Sequence, residues 1–234
     1  MIPSNFNIDP TEINQFTSLA HQWWDKSGSF SELHKINPVR LEYITQAAQL
    51  KNKQVADIGC GGGILAESMA KLGAKVTAID MSEESLNVAI AHQNQQRLEI
   101  NYILTTAEEL ALNHPGQFDM VTCLEMLEHV PDPTAIIHAC ARLLKPGGQL
   151  FLSTLNRNFK SYLFAIIGAE YLLNLLPKNT HDYSRFIRPA ELATWARQAH
   201  LTLKEIKGIT YSPFTKQYKL SNNSSINYLA YLTK

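Results

Sequence analysis

The chain has 234 residues, enough for one well-buried α/β domain and too few for two large ones. Hydrophobic residues make up 45% and charged residues 18%, as in an ordinary globular protein, and 21 basic side chains balance 21 acidic ones, which argues against a nucleic-acid partner. Three cysteines without C-x-x-C spacing argue against a disulfide scaffold and a zinc site. We expect a cytoplasmic protein, because residues 1–11 lack a secretory signal pattern and no apolar stretch is long enough to span a bilayer.

Two helices are predicted before the first strand. Asp9-Pro10 is typical of a helix start, and apolar residues at helical spacing continue from it to Trp23-Trp24. Asn37-Pro38 repeats the cap-and-proline pattern and predicts a second helix to about Gln49. Two neighbouring tryptophans are too apolar to remain in water. We therefore expect residues 1–50 to form a helical cover.

Strands and helices alternate in the rest of the chain. The predicted strands are 54–58, 75–79, 100–104, 118–124, 149–155, 203–211 and 226–232, and the predicted helices are 64–72, 82–97, 133–144 and 189–200. This alternation predicts βαβ units with helices on both faces of the sheet. The predicted fold class is α/β and Rossmann-like, with a seven-stranded, mostly parallel sheet and an antiparallel hairpin at one edge. We expect a single domain, 1–234, with 157–188 as an insertion over the acceptor site.

A glycine-rich loop follows the first predicted strand, in the run from Asp57 to Gly63. Four glycines in five residues allow a tight turn and close approach of a ligand, and the next helix offers free N–H groups. Asp80 ends the second strand, where a carboxylate suits a ribose diol. A dinucleotide fingerprint that starts at Gly59 would need glycine at position 64, which is Ile64, so a nicotinamide enzyme is the weaker alternative. The D-x-G-x-G-x-G pattern resembles the first motif of S-adenosylmethionine-dependent methyltransferases.

Further segments make the resemblance more specific. The chain resembles the ubiquinone-biosynthesis O-methyltransferases over nearly its whole length, in Trp23-Trp24, 33–40, 59–70, Asp80-Met81, 123–133, 153–158 and 180–182. The resemblance implies methyl transfer from S-adenosylmethionine to ring hydroxyls of polyprenylated phenol and catechol intermediates, at both O-methylation steps. The cofactor contacts implied by the resemblance and the glycine motif are Arg40, Asp57, Gly59, Gly61, Asp80, Met81 and Leu124. From the sequence alone, Arg40 could equally form a surface salt bridge.

Acidic residues and a histidine follow the fourth predicted strand, at Glu125, Glu128 and His129. Active sites of open α/β sheets lie at this carboxyl edge. If the stretch is helical, the three side chains share one face and could bind Mg²⁺. Alternatively, His129 acts as the base, with Glu128 beside it. Both devices would ionise an acceptor hydroxyl, and the sequence leaves both open.

An apolar segment, 159–177, lies inside the predicted insertion. Between Tyr162 and Leu176 its only charged residue is Glu170. It is either a buried roof over the acceptor pocket or, as we favour, an interfacial element that contacts lipid. The expected partners are therefore the polyprenylated substrate, the surface of the cytoplasmic membrane and a biosynthetic complex. His181 and Asp182 are expected to line the acceptor side. Two further functions remain open: methylation of a soluble small phenol, and a membrane-associated scaffold that binds the cofactor without turnover.

Overall fold

Strands and helices alternate along the chain, and the strands form one mixed sheet. The structure is a computed structural model and describes residues 7–158 and 183–234. The strands are β1 Gln54–Ile58, β2 Lys75–Asp80, β3 Ile100–Leu104, β4 Phe118–Leu124, β5 Leu144–Leu155, β6 Thr202–Ser212, β7 Gln217–Ser221 and β8 Asn227–Thr233. The helices are α1 Pro10–Leu19, α2 Ser31–Ala47, α3 Ile64–Lys71, α4 Glu83–Gln96, α5 Ala107–Asn113, α6 Pro133–Leu143 and α7 Pro189–Gln198.

The strand order is β3-β2-β1-β4-β5-β8-β6-β7. Strands β1 to β5 are parallel, whereas β8, β6 and β7 pair in antiparallel fashion at one side. The order reverses between β1 and β4, which leaves a crevice at the carboxyl ends of these two strands. The predicted fold class is confirmed, with eight strands among the described residues rather than seven. The additional strand is β7, which lies between the predicted strands 203–211 and 226–232.

Buried side chains cover both faces of the sheet. Four of the five residues of β1 are buried, as expected for a central parallel strand. On one face, α5, α6 and α7 contribute Leu110, Ile137 and Leu192, and on the other, α2 and α3 contribute Ile44 and Met69. Within the parts of the chain that the structure describes, none of the helices combines the length and hydropathy of a bilayer-spanning segment.

Three helix predictions need correction. Helix α1 has the predicted Asp9 cap and Pro10 start, but it ends at Leu19 and a short 3₁₀ turn follows. Helix α2 begins at Ser31 and continues through Pro38. The side chain of Asn37 does not cap α2, because its amide donates to Ser68 Oγ at 2.8 Å on α3. Helix α5 was missed.

Candidate active site

A cavity of about 390 Å³ opens at the carboxyl edge of the sheet. This volume lies within the usual range for small-molecule sites. The cavity is lined by every residue that the sequence analysis assigned to catalysis, cofactor or metal, namely Arg40, Asp57, Gly59, Gly61, Asp80, Met81, Leu124, Glu125, Glu128 and His129. The fold therefore brings together residues that lie up to 89 positions apart between Arg40 and His129.

The glycine loop is a series of left-handed turns packed against the protein's own side chains. Gly59, Gly61 and Gly63 have φ values of 70°, 51° and 82°. A Cβ atom on Gly61 would lie 2.4 Å from the Trp23 ring, and one on Gly63 would lie 2.2 Å from the Tyr102 hydroxyl oxygen. Close ligand approach was the sequence-based reason for these glycines. The structure adds internal packing and backbone conformation as reasons.

Two carboxyl groups lie beside the loop, the buried Asp57 and the half-buried Asp80. Asp80 accepts hydrogen bonds from the N–H groups of Gly61 and Ser82, both at 2.8 Å. Asp57 accepts one from Thr122 Oγ1 at 2.7 Å, and its Oδ2 has no hydrogen-bond partner among the described residues. Burial raises the pKa of Asp80. Burial and the neighbouring Asp80 charge raise the pKa of Asp57 to about 7, against the Thr122 hydrogen bond and the Arg40 charge.

Arg40 is buried and lies 3.1 Å, through Nη2, from Glu125 Oε1. Glu125 has a left-handed backbone, with φ of 52°. Ser153 fixes its side chain, since Ser153 Oγ donates to Glu125 Oε1 at 2.8 Å. The Nε of Arg40 is buried and makes no hydrogen bond to a described residue. Arg40 is thus positioned to bind a carboxylate in the cavity, although its observed partner is Glu125.

His129 ends a 3₁₀ turn, and its Nδ1 lies 2.9 Å from Oε2 of Glu12 on helix α1. Phe16, one turn later on α1, contacts the imidazole edge-on with ring centroids 5.2 Å apart. Burial alone would lower the pKa of His129, but the hydrogen bond to Glu12 and the charges of Glu128, Glu12 and Glu125 outweigh it and raise the pKa. A neutral ring with its proton on Nδ1 accepts a proton at Nε2.

Glu128 is nearly inaccessible to solvent. Its Oε2 accepts a hydrogen bond from Thr154 Oγ1 at 2.8 Å, and its Oε1 has no hydrogen-bond partner among the described residues. Burial, with the charge of Glu125 added, raises the pKa of Glu128, against the opposing effects of His129 and Thr154. Glu128 therefore holds a proton at higher pH than an exposed glutamate does.

The predicted Mg²⁺ ligands do not form a common site. Only Leu127–His129 is helical, as one 3₁₀ turn, so Glu125 does not share an α-helical face with Glu128 and His129. The three side chains bond instead to Arg40 and Ser153, to Thr154, and to Glu12. Across residues 7–158 and 183–234, no group of three or more His, Cys, Asp or Glu side chains has the arrangement of a metal site. We derive no step through a metal.

The sequence analysis missed the partners that helix α1 brings to the site. Glu12 contacts His129, and Arg185 Nη2 lies 2.7 Å from Asp9 Oδ2 and Nη1 lies 3.4 Å from Glu12 Oε1. Arg185 lies near the C-terminal end of the predicted insertion 157–188, 173 positions after Glu12. No local pattern marks either residue, because their pairing depends on tertiary contacts. His181, Asp182 and the apolar segment 159–177 lie outside the described residues.

Trp24 fastens the N-terminal cover to the glycine loop. Its Nε1 donates to the carbonyl oxygen of Gly62 at 3.0 Å. Its ring stacks on His92 with centroids 3.4 Å apart, and His92 Nδ1 lies 2.6 Å from the buried Glu67 Oε1. This chain of contacts joins α3, α4 and the cover at the start of the loop. We call Trp24, His92 and Glu67 the loop clamp.

Cys60 is the thiol inside the glycine loop, and it is half-buried beside the cavity. Burial, together with the negative charges of Asp80 and Asp57, raises the pKa of this thiol.

Known proteins with similar sequences fit this geometry. A family model described as a methyltransferase domain matches residues 56–152. The ubiquinone biosynthesis O-methyltransferase of Pseudomonas aeruginosa is 58% identical over 223 residues, which are 95% of this chain and 96% of that protein. That of an Azoarcus species is 54% identical over 230 residues, 98% of this chain and 99% of that protein. The chain belongs to the ubiquinone biosynthesis O-methyltransferase family. The resemblance seen in the sequence is therefore confirmed, and a nicotinamide enzyme is excluded.

Solved structures with low sequence identity share the fold of this family member. Magnesium protoporphyrin IX methyltransferase from Synechocystis, solved with bound SAH, has a TM-score of 0.67 at 17% identity and covers 94% of each chain. A methyltransferase from Thermotoga maritima has a TM-score of 0.66 at 20% identity, covering 95% of this chain and 99% of that one. These likenesses confirm a class I methyltransferase fold.

Proposed function

We propose that this chain is an S-adenosylmethionine-dependent O-methyltransferase that acts on ring hydroxyls of polyprenyl phenol and catechol intermediates of ubiquinone biosynthesis, at both O-methylation steps. The observation that carries the proposal is the meeting, in one cavity, of the glycine loop with Asp80 and of the Glu12–His129 pair. The relatives that are 54–58% identical over nearly the whole chain bear the name of this activity.

The edge formed by the glycine loop and Asp80 suits the cofactor. Two N–H groups already hold the Asp80 carboxylate in place, and its remaining lone pairs can accept the two hydroxyls of a ribose. Arg40, with its unpartnered Nε, and the N-terminus of α3 suit the carboxylate of the cofactor's amino-acid end. Asp57, in β1 just before the loop, accepts a hydrogen bond from the Thr122 hydroxyl of β4. When bound, S-adenosylmethionine supplies an electrophilic methyl group.

His129 removes the proton of the acceptor hydroxyl. A phenol is a poor nucleophile until it is ionised, and a neutral imidazole within hydrogen-bond reach accelerates that step. Glu12 holds Nδ1, which leaves Nε2 to accept the proton and stabilises the imidazolium that forms. Glu128, beside it, adds negative potential when it is ionised. Glu12 is a positioning residue, because it acts through His129.

The acceptor's prenyl chain places its ring at a lipid surface. The proposal therefore includes peripheral association with the cytoplasmic membrane through 159–177, whose ends carry Lys160 and Lys178. Supporting features are the near absence of charge between Tyr162 and Leu176 and the flanking lysines. Such a location would also bring the enzyme to the other enzymes of the pathway in a biosynthetic complex.

The first test is calorimetric binding of S-adenosylhomocysteine to the purified protein. We expect binding that Asp80→Ala weakens by at least about tenfold, because a charge-assisted pair of ribose hydrogen bonds is lost. Glu99→Ala, which changes an exposed acid outside the cavity, should bind as the unmodified protein does. Absence of binding to the folded protein would contradict the proposal. Binding followed by turnover of soluble phenols alone, with no turnover of prenylated catechols, would change the acceptor class.

A further inference from the structure

The hairpin of β6 and β7 projects from the edge of the sheet at which the cavity opens. Strand β6 pairs with β8 only as far as Lys207, and from Gly208 to Ser212 it pairs with β7. Because β6 runs in the same direction as β5, its last residues and the following turn extend past Leu155, the end of β5. Tyr218 of β7 lines the cavity. The hairpin therefore forms part of the cavity's rim.

The end of this hairpin is both apolar and cationic. Phe214 is 97% exposed, whereas Leu112, the next most exposed large hydrophobic residue among the described residues, reaches 61%. Tyr211, near Phe214 in the hairpin, is 49% exposed. Lys216 and Lys219 are exposed beside them and form no ion pair with a described residue. We call Tyr211, Phe214, Lys216 and Lys219 the hairpin tip.

Positive charge predominates within the hairpin, and Glu32 of α2, which accepts a hydrogen bond from Tyr218, is also paired with Lys35. Between Thr202 and Ser221 the chain carries four lysines and one glutamate. That glutamate, Glu205, lies 3.5 Å from Lys207, so it does not neutralise the tip. A protruding aromatic residue next to unpaired lysines suits anionic headgroups, since the ring enters the boundary of the acyl chains while the ammonium groups remain at the phosphates. An acidic protein surface would pair with the lysines but would provide no apolar environment for a fully exposed phenylalanine.

The position of the tip agrees with this partner. Asn158, the last described residue before position 159, donates from Nδ2 to the carbonyl oxygen of Ser225 at 2.5 Å, in the loop that follows β7. The chain therefore leaves β5 at the base of the same hairpin. We propose that the hairpin tip is a membrane-docking surface that binds anionic lipid headgroups and holds the cavity mouth against the bilayer. This inference rests on the proposed function in one respect, because docking at the membrane serves access to an acceptor that lies in the lipid.

The test is co-sedimentation of the full chain with phosphatidylcholine vesicles that contain or lack phosphatidylglycerol. We expect the unmodified protein to bind the anionic vesicles more tightly. Phe214→Ser should weaken this binding by about tenfold, from the loss of an inserted aromatic side chain. The double change Lys216→Glu and Lys219→Glu should weaken it at least as much, and only on anionic vesicles. High salt should reduce the effect of the lysines.

Matched controls change the same residue types elsewhere. Leu112→Ser removes an exposed hydrophobic side chain on α5, and Lys51→Glu with Lys75→Glu reverses two exposed charges at the opposite end of the sheet. These controls should sediment as the unmodified protein does. All variants should keep S-adenosylhomocysteine binding and turnover of a short-chain, water-soluble catechol. If the unmodified protein fails in these two assays, the result contradicts the proposed function and not the docking surface.

Two results would overturn the docking proposal. One is unchanged vesicle binding by both hairpin-tip variants. The other is a concentration-dependent dimer in analytical ultracentrifugation that Phe214→Ser abolishes while vesicle binding persists, because the tip would then be a contact between two copies of the chain.

Discussion

Single side chains in this site depend on partners from distant parts of the chain. The sequence left His129 open as a base or as a metal ligand, and its hydrogen-bond partner in the structure is Glu12, which is 117 positions away. The pKa of His129 rises because this carboxylate and two other glutamates outweigh burial. The base form of His129 is therefore lost at a higher pH than for an isolated imidazole.

Glu12→Gln tests this arrangement. A neutral amide removes a hydrogen-bonded charge, so the pKa of His129 should fall and the acidic limb of the kcat/KM profile should move to lower pH. At pH 8 we expect kcat to fall about tenfold, because the imidazolium loses its partner, while the affinity for S-adenosylhomocysteine stays within about twofold. His129→Asn should abolish the limb. If the acidic limb stays at the same pH in the Glu12→Gln variant, the limb reports the titration of a group other than His129.

At Asp57, unlike at His129, burial outweighs the favourable interactions of the charged form. Ionisation of this buried carboxyl group therefore lowers the stability of the fold. Its folded-state pKa of about 7 lies above its ordinary value, so the native protein holds a proton that the unfolded chain releases between about pH 4 and 7. Stability from this group is thus lost as the pH rises through that window. Asp57→Asn should raise Tm at pH 8 by at least about 2–4 °C and by less at pH 5. Calorimetric scans at the two pH values measure this, and equal shifts would refute it.

At the scale of elements, most strands and helices could be predicted from the hydrophobic periodicity of the sequence and from the residues that begin and end each element. Four of the five strands of the parallel half were predicted within one residue, because buried strands separated by glycine turns leave a strong pattern. The exception is β5, which begins at Leu144, five residues before the predicted start at position 149. The pattern predicted the wrong start for α2 at Asn37-Pro38, because the asparagine side chain bonds to another helix. It also missed β7, whose residues pair with β6 and pack against α2. Helix α5 could have been predicted from the sequence, because Thr106 and Glu109 have the spacing of a capping box at a helix N-terminus.

The loop clamp is an element-scale device that the sequence did not reveal. The glycine loop was predicted, but its attachment to the cover through Trp24 requires α3 and α4 to be in place. The positions of the three contacts in the chain carry no common pattern.

Trp24→Phe keeps a ring against His92 and removes the donor to Gly62. We expect the dissociation constant of S-adenosylhomocysteine to rise about threefold to tenfold, the usual effect of one lost hydrogen bond. The KM for the methyl donor should rise in step, with kcat little changed. Trp195→Phe, on α7 and away from the cavity, is the control. A change in kcat alone would show that the clamp acts on chemistry rather than on the cofactor loop.

At the scale of the whole molecule, the carboxyl edge of the sheet gathers every function discussed above. The cavity, the cover helix, the hairpin tip and both ends of the predicted insertion lie there. Arg185 joins the C-terminal end of the predicted insertion to α1 through Asp9 and Glu12. The opposite edge is left without an assigned role.

Changing Leu172, Leu173 and Leu176 to serine tests membrane association of the segment 159–177. We expect vesicle sedimentation to fall, because apolar side chains that contact acyl chains are replaced. If the segment 159–177 and the hairpin tip contact lipid independently, the losses from these changes and from Phe214→Ser add in free energy. Unchanged sedimentation of the leucine variant, with loss of thermal stability, would assign the segment to the protein interior instead.

The thiol of Cys60 has a consequence for an enzyme that handles catechols. Catechols oxidise readily to ortho-quinones, which alkylate thiolates but react slowly with thiols. Because burial and two neighbouring carboxylates raise the pKa of the Cys60 thiol, a smaller fraction of it is in the nucleophilic thiolate form than for an exposed cysteine. For an acceptor of the proposed class, the acidic residues at the cofactor edge would therefore also slow alkylation of this thiol by an oxidised catechol.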